Sequence, residues 1–426
     1  MNKIMSLIDK KALLNVARLV LGLLFMFSGF VKCVDPSGGA IKINDYFVAW
    51  SLDVPFGICM FLSFVQNILE FMTGYLLVVG VYVKVASFVA LCFMCVFTPL
   101  TLYIAIANPV SDCGCFGDAI KLTNWETFYK NLIFLPISIA VFIWGRKAKF
   151  FHGKVRRAMV CGVGLIVAFL ISVLGITNEP LIDFRPFSVG VDIRKSMSVP
   201  ADAPLPEYKT TFILEKDGKQ QEFDETTYPY EDSTWVYVET RTEVISEGYV
   251  PPIKDFTLIH EQFGVLTDDI LTRSNMVMLA VAPSLESLSS EQVSRVKHLS
   301  DLSFNSGMSF YIATSESGSQ LRAFENKAEA GFDFLQGDET MLKTITRAPV
   351  GILVIRDGVI IAKYHIDHLP YDRAFENIQS VYLQEIESQN VRLIIITIIF
   401  AVGIILISLS LSFYLKVYKN LTNSVR

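Results

Sequence analysis

Two thiols one residue apart, Cys113 and Cys115, lie in the run Asp112-Cys-Gly-Cys-Phe-Gly117 between two very apolar stretches. A dithiol at that spacing can close and open a disulfide. A ring so small is strained, and strained exposed disulfides are the labile, oxidising ones. Five more cysteines precede or follow it (Cys33, Cys59, Cys92, Cys95 and Cys161), and none lies beyond Cys161. Cys92 and Cys95 are three residues apart, on one face of a helix, and could pass electrons inward from the first pair. As small apolar side chains they could equally be packing residues. Cys113 and Cys115 could likewise be static, bridged for example to Cys33 and Cys59, because spacing alone does not separate a working pair from a structural one. No histidine accompanies the loop, and a metal site is not expected.

The elements around this pair are membrane helices. The chain has 426 residues, 52% of them hydrophobic, with a net charge of −5. That is too apolar for an ordinary soluble protein and too long for one domain, and the charge argues against nucleic acid as a partner. Six segments are long and apolar enough to span a bilayer, near 13–31, 56–80, 85–107, 131–145, 158–177 and 392–415. Lys3, Lys10 and Lys11 precede the first, and Lys84 lies between the second and third. Arg146, Lys147, Lys149, Lys154, Arg156 and Arg157 crowd the loop between the fourth and fifth, and Lys416, Lys419 and Arg426 follow the sixth. All of these fall on one side of a six-span chain, which the positive-inside rule makes the cytoplasm. Both termini are then inside. The Cys113–Cys115 loop and residues 178–390 are outside, as expected for a multi-pass protein of a bacterial inner membrane with a periplasmic domain. Arg18 interrupts the first span and no small-residue cleavage site follows it, so a removable signal peptide is not expected. Glu70 lies near the middle of the second span, where a charge is expensive and therefore a functional suspect. Arg18 could reach it as a buried ion pair, or Glu70 could handle protons.

The first span reads Arg18-Leu-Val-Leu-Gly22-Leu-Leu-Phe25-Met-Phe-Ser28-Gly29-Phe-Val-Lys32, the second carries Leu69-Glu70-Phe-Met-Thr-Gly74, and the loop reads Asp112-Cys-Gly-Cys-Phe-Gly-Asp118. Together these resemble the DoxX family of membrane proteins, and especially its methylamine-utilisation MauE-like branch, over residues 12–145. The resemblance implies a four-helix unit linked to thiol redox or to maturation of exported redox proteins.

From Asp255 onward strands and helices alternate: a strand at 255–259, a buried apolar strand at 275–282, a helix over 287–305, a strand at 308–313 and a helix at 319–330. A hairpin follows, 351–356 turning at Asp357-Gly358 into 359–364, and a last helix runs over 371–388. This order resembles the thioredoxin fold over residues 255–388, with Pro349 at the position of that family's cis-proline. The family's Cys-x-x-Cys position reads Ala282-Pro283-Ser284-Leu285-Glu286 here, so this domain has no nucleophile of its own. Residues 179–254 read as a small β-rich segment, with a hairpin at 210–223 and a strand at 234–239.

The expected architecture is therefore an α-helical membrane bundle with an extracytoplasmic α/β thioredoxin-like domain. Its parts are a four-span unit (1–150), a fifth helix (151–178), the β-rich segment (179–254), the thioredoxin-like domain (255–390) and a sixth helix with a cytoplasmic tail (391–426). Cys113 and Cys115 would exchange electrons with an exported thiol-bearing protein. The acceptor is not fixed by the sequence; a quinone in the bundle, reached through Cys92 and Cys95 or Glu70, could serve. A non-enzymatic anchor or scaffold whose external domain binds an exported partner is the alternative, and whether the chain is an enzyme stays open.

Overall fold

The computed structural model describes residues 2–145 and 153–369 apart from positions 111, 206 and 247, together with part of 375–395. The sixth span at 392–415 beyond residue 395, the basic residues at 146–149 and those after 415 lie outside the described residues. So does most of the helix expected at 371–388, of which the described positions from 380 on are helical.

Five helices are long and apolar enough to cross a membrane. They are α1 (Asn2–Val34, apolar from Leu13), α3 (Phe56–Val79), α4 (Val83–Ala107), α5 (Asn124–Trp144) and α6 (Lys154–Thr177). A short helix, α2 (Pro36–Ala49), follows α1 directly; Asp35 caps it by accepting a hydrogen bond from Gly38 N, with Pro36 at its first turn. The sequence reading passed over α2 because its apolar content is too low for a span. It also began α5 some seven residues late, although Thr123 and Glu126 form a complete capping box there.

The antiparallel pair α1–α3 is the spine. A Cβ on Gly74 would overlap the backbone of Met26, and one on Gly29 would overlap that of Phe71. Small residues let the two helices touch backbone to backbone, which is how membrane helices gain packing without a hydrophobic drive. Helix α6 closes the bundle on this pair through Tyr75, whose hydroxyl donates to Val160 O (3.1 Å).

Beyond α6 come α7 (Ile193–Met197) and a three-stranded antiparallel sheet of β1 (Glu207–Lys216), β2 (Lys219–Phe223) and β3 (Val236–Ser246), in the order β2-β1-β3. The rest is an α/β unit. In chain order it contains β4 (Ile259–His260), β5 (Gly264–Val265), α8 (Thr267–Thr272), β6 (Val277–Val281), α9 (Ser290–Asn305) and β7 (Ser309–Thr314). It continues with α10 (Ser319–Ala328), β8 (Phe334–Gln336), α11 (Glu339–Ile345), β9 (Gly351–Arg356) and β10 (Val359–His365). The seven strands run β10-β9-β6-β7-β8-β4-β5. Strands β6, β7 and β8 are parallel, whereas β9 is antiparallel to β6 and β10. Every residue of β6 is buried, as a central strand covered on both faces must be. One core lies under α9 and α10, including Met278, Ile312, Val296 and Phe324. The other lies under α8 and α11, including Leu279, Leu271, Leu342 and Phe256. The expected strand at 255–259 is mostly irregular: Phe256 and Leu258 are buried anchors rather than ladder residues.

Candidate functional site

The dithiol loop joins α4 to α5, and every turn of it is held. Asp112 Oδ1 accepts from Gly114 N (2.9 Å), and Gly117 N donates to Gly114 O (3.1 Å). Gly114 sits at φ +65 and Gly117 at φ +52, in the left-handed region that glycine reaches without strain. Lys42 of α2 pairs with Asp112 (2.9 Å), and Tyr46 of α2 donates to Cys113 O (3.2 Å). Phe116 is buried, with Lys130 Nζ 4.3 Å from its ring centroid.

Beneath the loop lies the buried charge pair. Glu70 pairs with Lys32 at 2.7 Å, both side chains less than a tenth exposed. Ser28 Oγ stands 2.6 Å from Glu70 Oε1 and 2.5 Å from Cys115 O, so one hydroxyl ties the pair to the loop. Asn67 donates to Lys32 O (2.9 Å). Arg18 is not the partner of Glu70. The antiparallel register sets Gly22 against Leu77 and Val78, and Gly29 against Phe71. Glu70 therefore faces Ser28 and Lys32, while Arg18 bonds to Leu77 O at the other end of the bundle. Fourteen residues of helix separate Lys32 from Arg18, about 21 Å.

The two thiols differ sharply. Cys113 S–H donates to the sulfur of Cys115, which holds the Cys115 thiol below its ordinary range; the ammonium groups of Lys130 and Lys32 add to this, against the opposing effect of burial. The same bond, together with burial, pushes the Cys113 thiol far up. An electropositive, half-buried thiolate with a protonated neighbour is the arrangement of a reactive cysteine. A group whose pKa is lowered keeps its thiolate as pH falls. Alkylation of Cys115 by iodoacetamide should therefore persist below pH 8, with a midpoint under the ~8.5 of a free thiol. Stopped alkylation read by peptide mass is the measurement, and a midpoint at or above 8.5 would contradict the assignment.

All seven cysteines are thiols in this structure. Cys33 is wholly buried in the α1–α3 core, and Cys59 faces Asn44 of α2 at 4.0 Å; neither is bridged to the loop pair. Cys92 and Cys95 are exposed on the outward face of α4, whereas Phe93 packs inward against Phe25. The fold does not bring them to Cys113 and Cys115.

A cavity of about 130 Å³ opens beside the dithiol. The loop supplies Cys113, Gly114 and Cys115, and α1 and α2 supply Lys32, Lys42, Ile43 and Tyr46. Helix α3 supplies Ser63, Gln66 and Asn67, and α4 supplies Phe97, Leu100 and Thr101.

The α/β unit meets the bundle at this same end. Arg347, nearly buried, bonds to Asp35 (2.9 Å) at the start of α2 and to Asp118 (2.9 Å) at the end of the loop. It also bonds to Lys343 O. Beside it Thr346 donates to Glu179 (3.1 Å), a member of a buried cluster with Asp183, Arg185 and Lys363. Arg185 and Lys363 hold the Asp183 carboxyl well below the usual range. Val281 pairs with Gly351 across β6 and β9, so the segment leaving β6 at 283–286 and the one entering β9 at 347–350 share one end of the sheet. In the first of these, Glu316 accepts from Ser284 Oγ and from the backbone N–H of Leu285 and Glu286. The bond before Pro349 is trans, as are all peptide bonds among the described residues. Trans is the lower-energy isomer of an X–Pro bond, and Ala348 N donating to Thr346 Oγ1 (3.0 Å) completes the turn without a cis bond.

Sequence reasoning missed Lys32 as the partner of Glu70, and Asp35, Asp118 and Arg347 as the contact between the two parts. For Lys32 a signal existed: it is the second charge facing Glu70's half of the span. For Arg347 nothing local marked it.

Residues 10–145 match the family model described as Methylamine utilisation protein MauE. Residues 208–247, which cover most of the three-stranded sheet, match one described as Domain of unknown function (DUF8463). None of the curated proteins compared matches the chain. The matched N-terminal stretch spans α1 through α5 and contains the whole dithiol loop with its Lys32–Glu70 support, so the site lies within the MauE-like part of a multi-pass membrane protein.

Proposed function

We propose that this protein performs thiol–disulfide exchange at the extracytoplasmic face of a bacterial inner membrane, with Cys115 as attacking thiolate and Cys113 as resolving thiol. The observation that carries the reading is the placement of the dithiol: a loop fixed by Asp112, Lys42 and Tyr46 sets Cys113 and Cys115 together on the wall of one cavity, beside the Lys32 ammonium. In the reducing direction Cys115 attacks one sulfur of a substrate disulfide, and the other substrate sulfur leaves as a thiolate and takes a proton. Cys113, once deprotonated, attacks Sγ of Cys115 and expels the second substrate thiolate. A disulfide has been exchanged for a dithiol, and the reverse sequence oxidises a substrate dithiol. The description of the matching family, methylamine utilisation, directs the choice of substrate toward an exported protein of that metabolism.

The α/β unit reads best as thioredoxin-like. Its central β6-α9-β7 unit, the antiparallel β9–β10 hairpin beside β6, and Pro349 at the head of β9 support this. Lacking a nucleophile, it serves as a platform beside the dithiol. The lysine and arginine distribution supports the outward orientation of both parts.

The test is thiol trapping on the full chain in membranes, across a series of glutathione redox buffers. Cys113 and Cys115 are expected to pass from two alkylated thiols to none, C115S to form no mixed disulfide, and C113S to accumulate one. An impermeant maleimide should label Cys115 from outside. A pair that stays in one state across every buffer would establish the static scaffold instead.

A further inference from the structure

We infer that the cavity beside the dithiol binds the ring of a quinone, which takes the electrons of Cys113 and Cys115. The inference rests on the exchange reading above and names its acceptor. Size is the first argument. A cavity of about 130 Å³ is close to the ~150 Å³ of a cavity known to hold benzene, so a six-membered ring is the scale of guest it fits. Wall chemistry is the second. Phe97 and Leu100 of α4 with Ile43 of α2 form an apolar side. Gln66 and Asn67 of α3 and Lys32 also line it; with Lys32 held by Glu70 and Asn67 donating to Lys32 O, Gln66 is the polar group placed to meet a ring oxygen. A flat ring with polar atoms at its rim suits such a lining better than a wholly apolar or wholly ionic guest.

Position is the third argument. The cavity lies between α2 and α4, both of which pack on α3, near the ends of spanning helices. On this reading a lipid-soluble carrier enters it between α2 and α4. Cys113 and Cys115 both line the cavity, so donor and acceptor need no relay, and Cys92 and Cys95 have no task to perform.

The step balances with the quinone as oxidant. The Cys115 thiolate adds to a ring carbon, and the electron pair displaced moves onto a ring oxygen. Cys113 then loses its proton and attacks Sγ of Cys115. The sulfur–carbon bond breaks, its electron pair returns to the ring, and a disulfide forms. Two electrons, and the two protons of the dithiol by way of solvent, convert quinone to quinol.

The experiment uses the full chain in detergent under anaerobic conditions, with decyl-ubiquinone and menadione as probes. The dithiol state is read by maleimide gel shift and quinol by absorbance. Wild type should lose both thiols as one equivalent of quinol appears. Leu100→Trp and Ile43→Trp, which fill the cavity from α4 and from α2, should slow this at least tenfold while glutathione disulfide still oxidises the pair. A wild-type helical circular-dichroism spectrum and melting temperature show that each variant is folded. If glutathione disulfide oxidises wild type but neither quinone does, or if both variants keep the wild-type quinone rate, the quinone site is refuted and exchange stands. If neither reagent oxidises the pair, both readings fall.

Discussion

Lys32→Met is expected to destabilise the bundle by about 3–5 kcal/mol, because it strands the Glu70 carboxylate in a site from which water is excluded. The fall should appear as a lower aggregation temperature of the detergent-solubilised protein. The double variant K32M/E70L should recover most of the loss, since an apolar pair of similar volume is often neutral where a broken ion pair is not. A double-mutant cycle then isolates the coupling. Cys115 supplies a second readout. It loses one of its two nearby ammonium groups, so its alkylation midpoint should rise in K32M; the double variant, which also removes the opposing Glu70 carboxylate, should bring it part of the way back. A K32M protein with wild-type stability and an unchanged alkylation profile would mean that the pair supports neither the fold nor the thiolate.

The second large effect is at Arg347. Its guanidinium bonds to Asp35 and Asp118 at 2.9 Å each, and only a small fraction of its side chain is exposed. Arg347→Met leaves two carboxylates facing each other, with Asp118 keeping only the exposed Lys121 at 3.9 Å. A loss of about 3 kcal/mol is expected. Its signature is local: faster hydrogen exchange at Gly114–Asp118 and at the start of α2, with β6 and β7 unchanged. Arg347→Lys keeps the charge but cannot fork between two acceptors, so it should fall between wild type and Arg347→Met. Equal exchange in all three proteins would remove Arg347 from the contact between α/β unit and loop.

What could be read in advance followed from local physics. Long apolar runs revealed four spans nearly whole, because a bilayer leaves one solution for twenty such residues. Alternation and the Asp357-Gly358 turn revealed β9 and β10. The pair Cys113–Cys115 stood out by spacing. Its chemistry did not, since the thiol-to-thiol bond depends on how the loop folds, and Lys130 and Lys32, which add to it, are adjacent only after folding. Glu70 was wrongly partnered. Arg18 and Lys32 lie on the same helix, and choosing between them needs the register of α1 on α3, which Gly29 and Gly74 set through backbone contact. The short strands β4, β5 and β8 have two or three residues each, too few for any period to show. Nothing local marks Glu179, Asp183, Arg185 and Lys363 as a buried cluster, because Lys363 joins Asp183 from a segment 180 residues away.

The covalent path through α6 and the Arg347 clasp give the α/β unit two separate moorings on the bundle. Two moorings restrain swivelling better than one. The Cys113–Cys115 loop is thereby braced from two sides, by α2 through Lys42 and by the α/β unit through Arg347, so slackening either brace should loosen the same few residues.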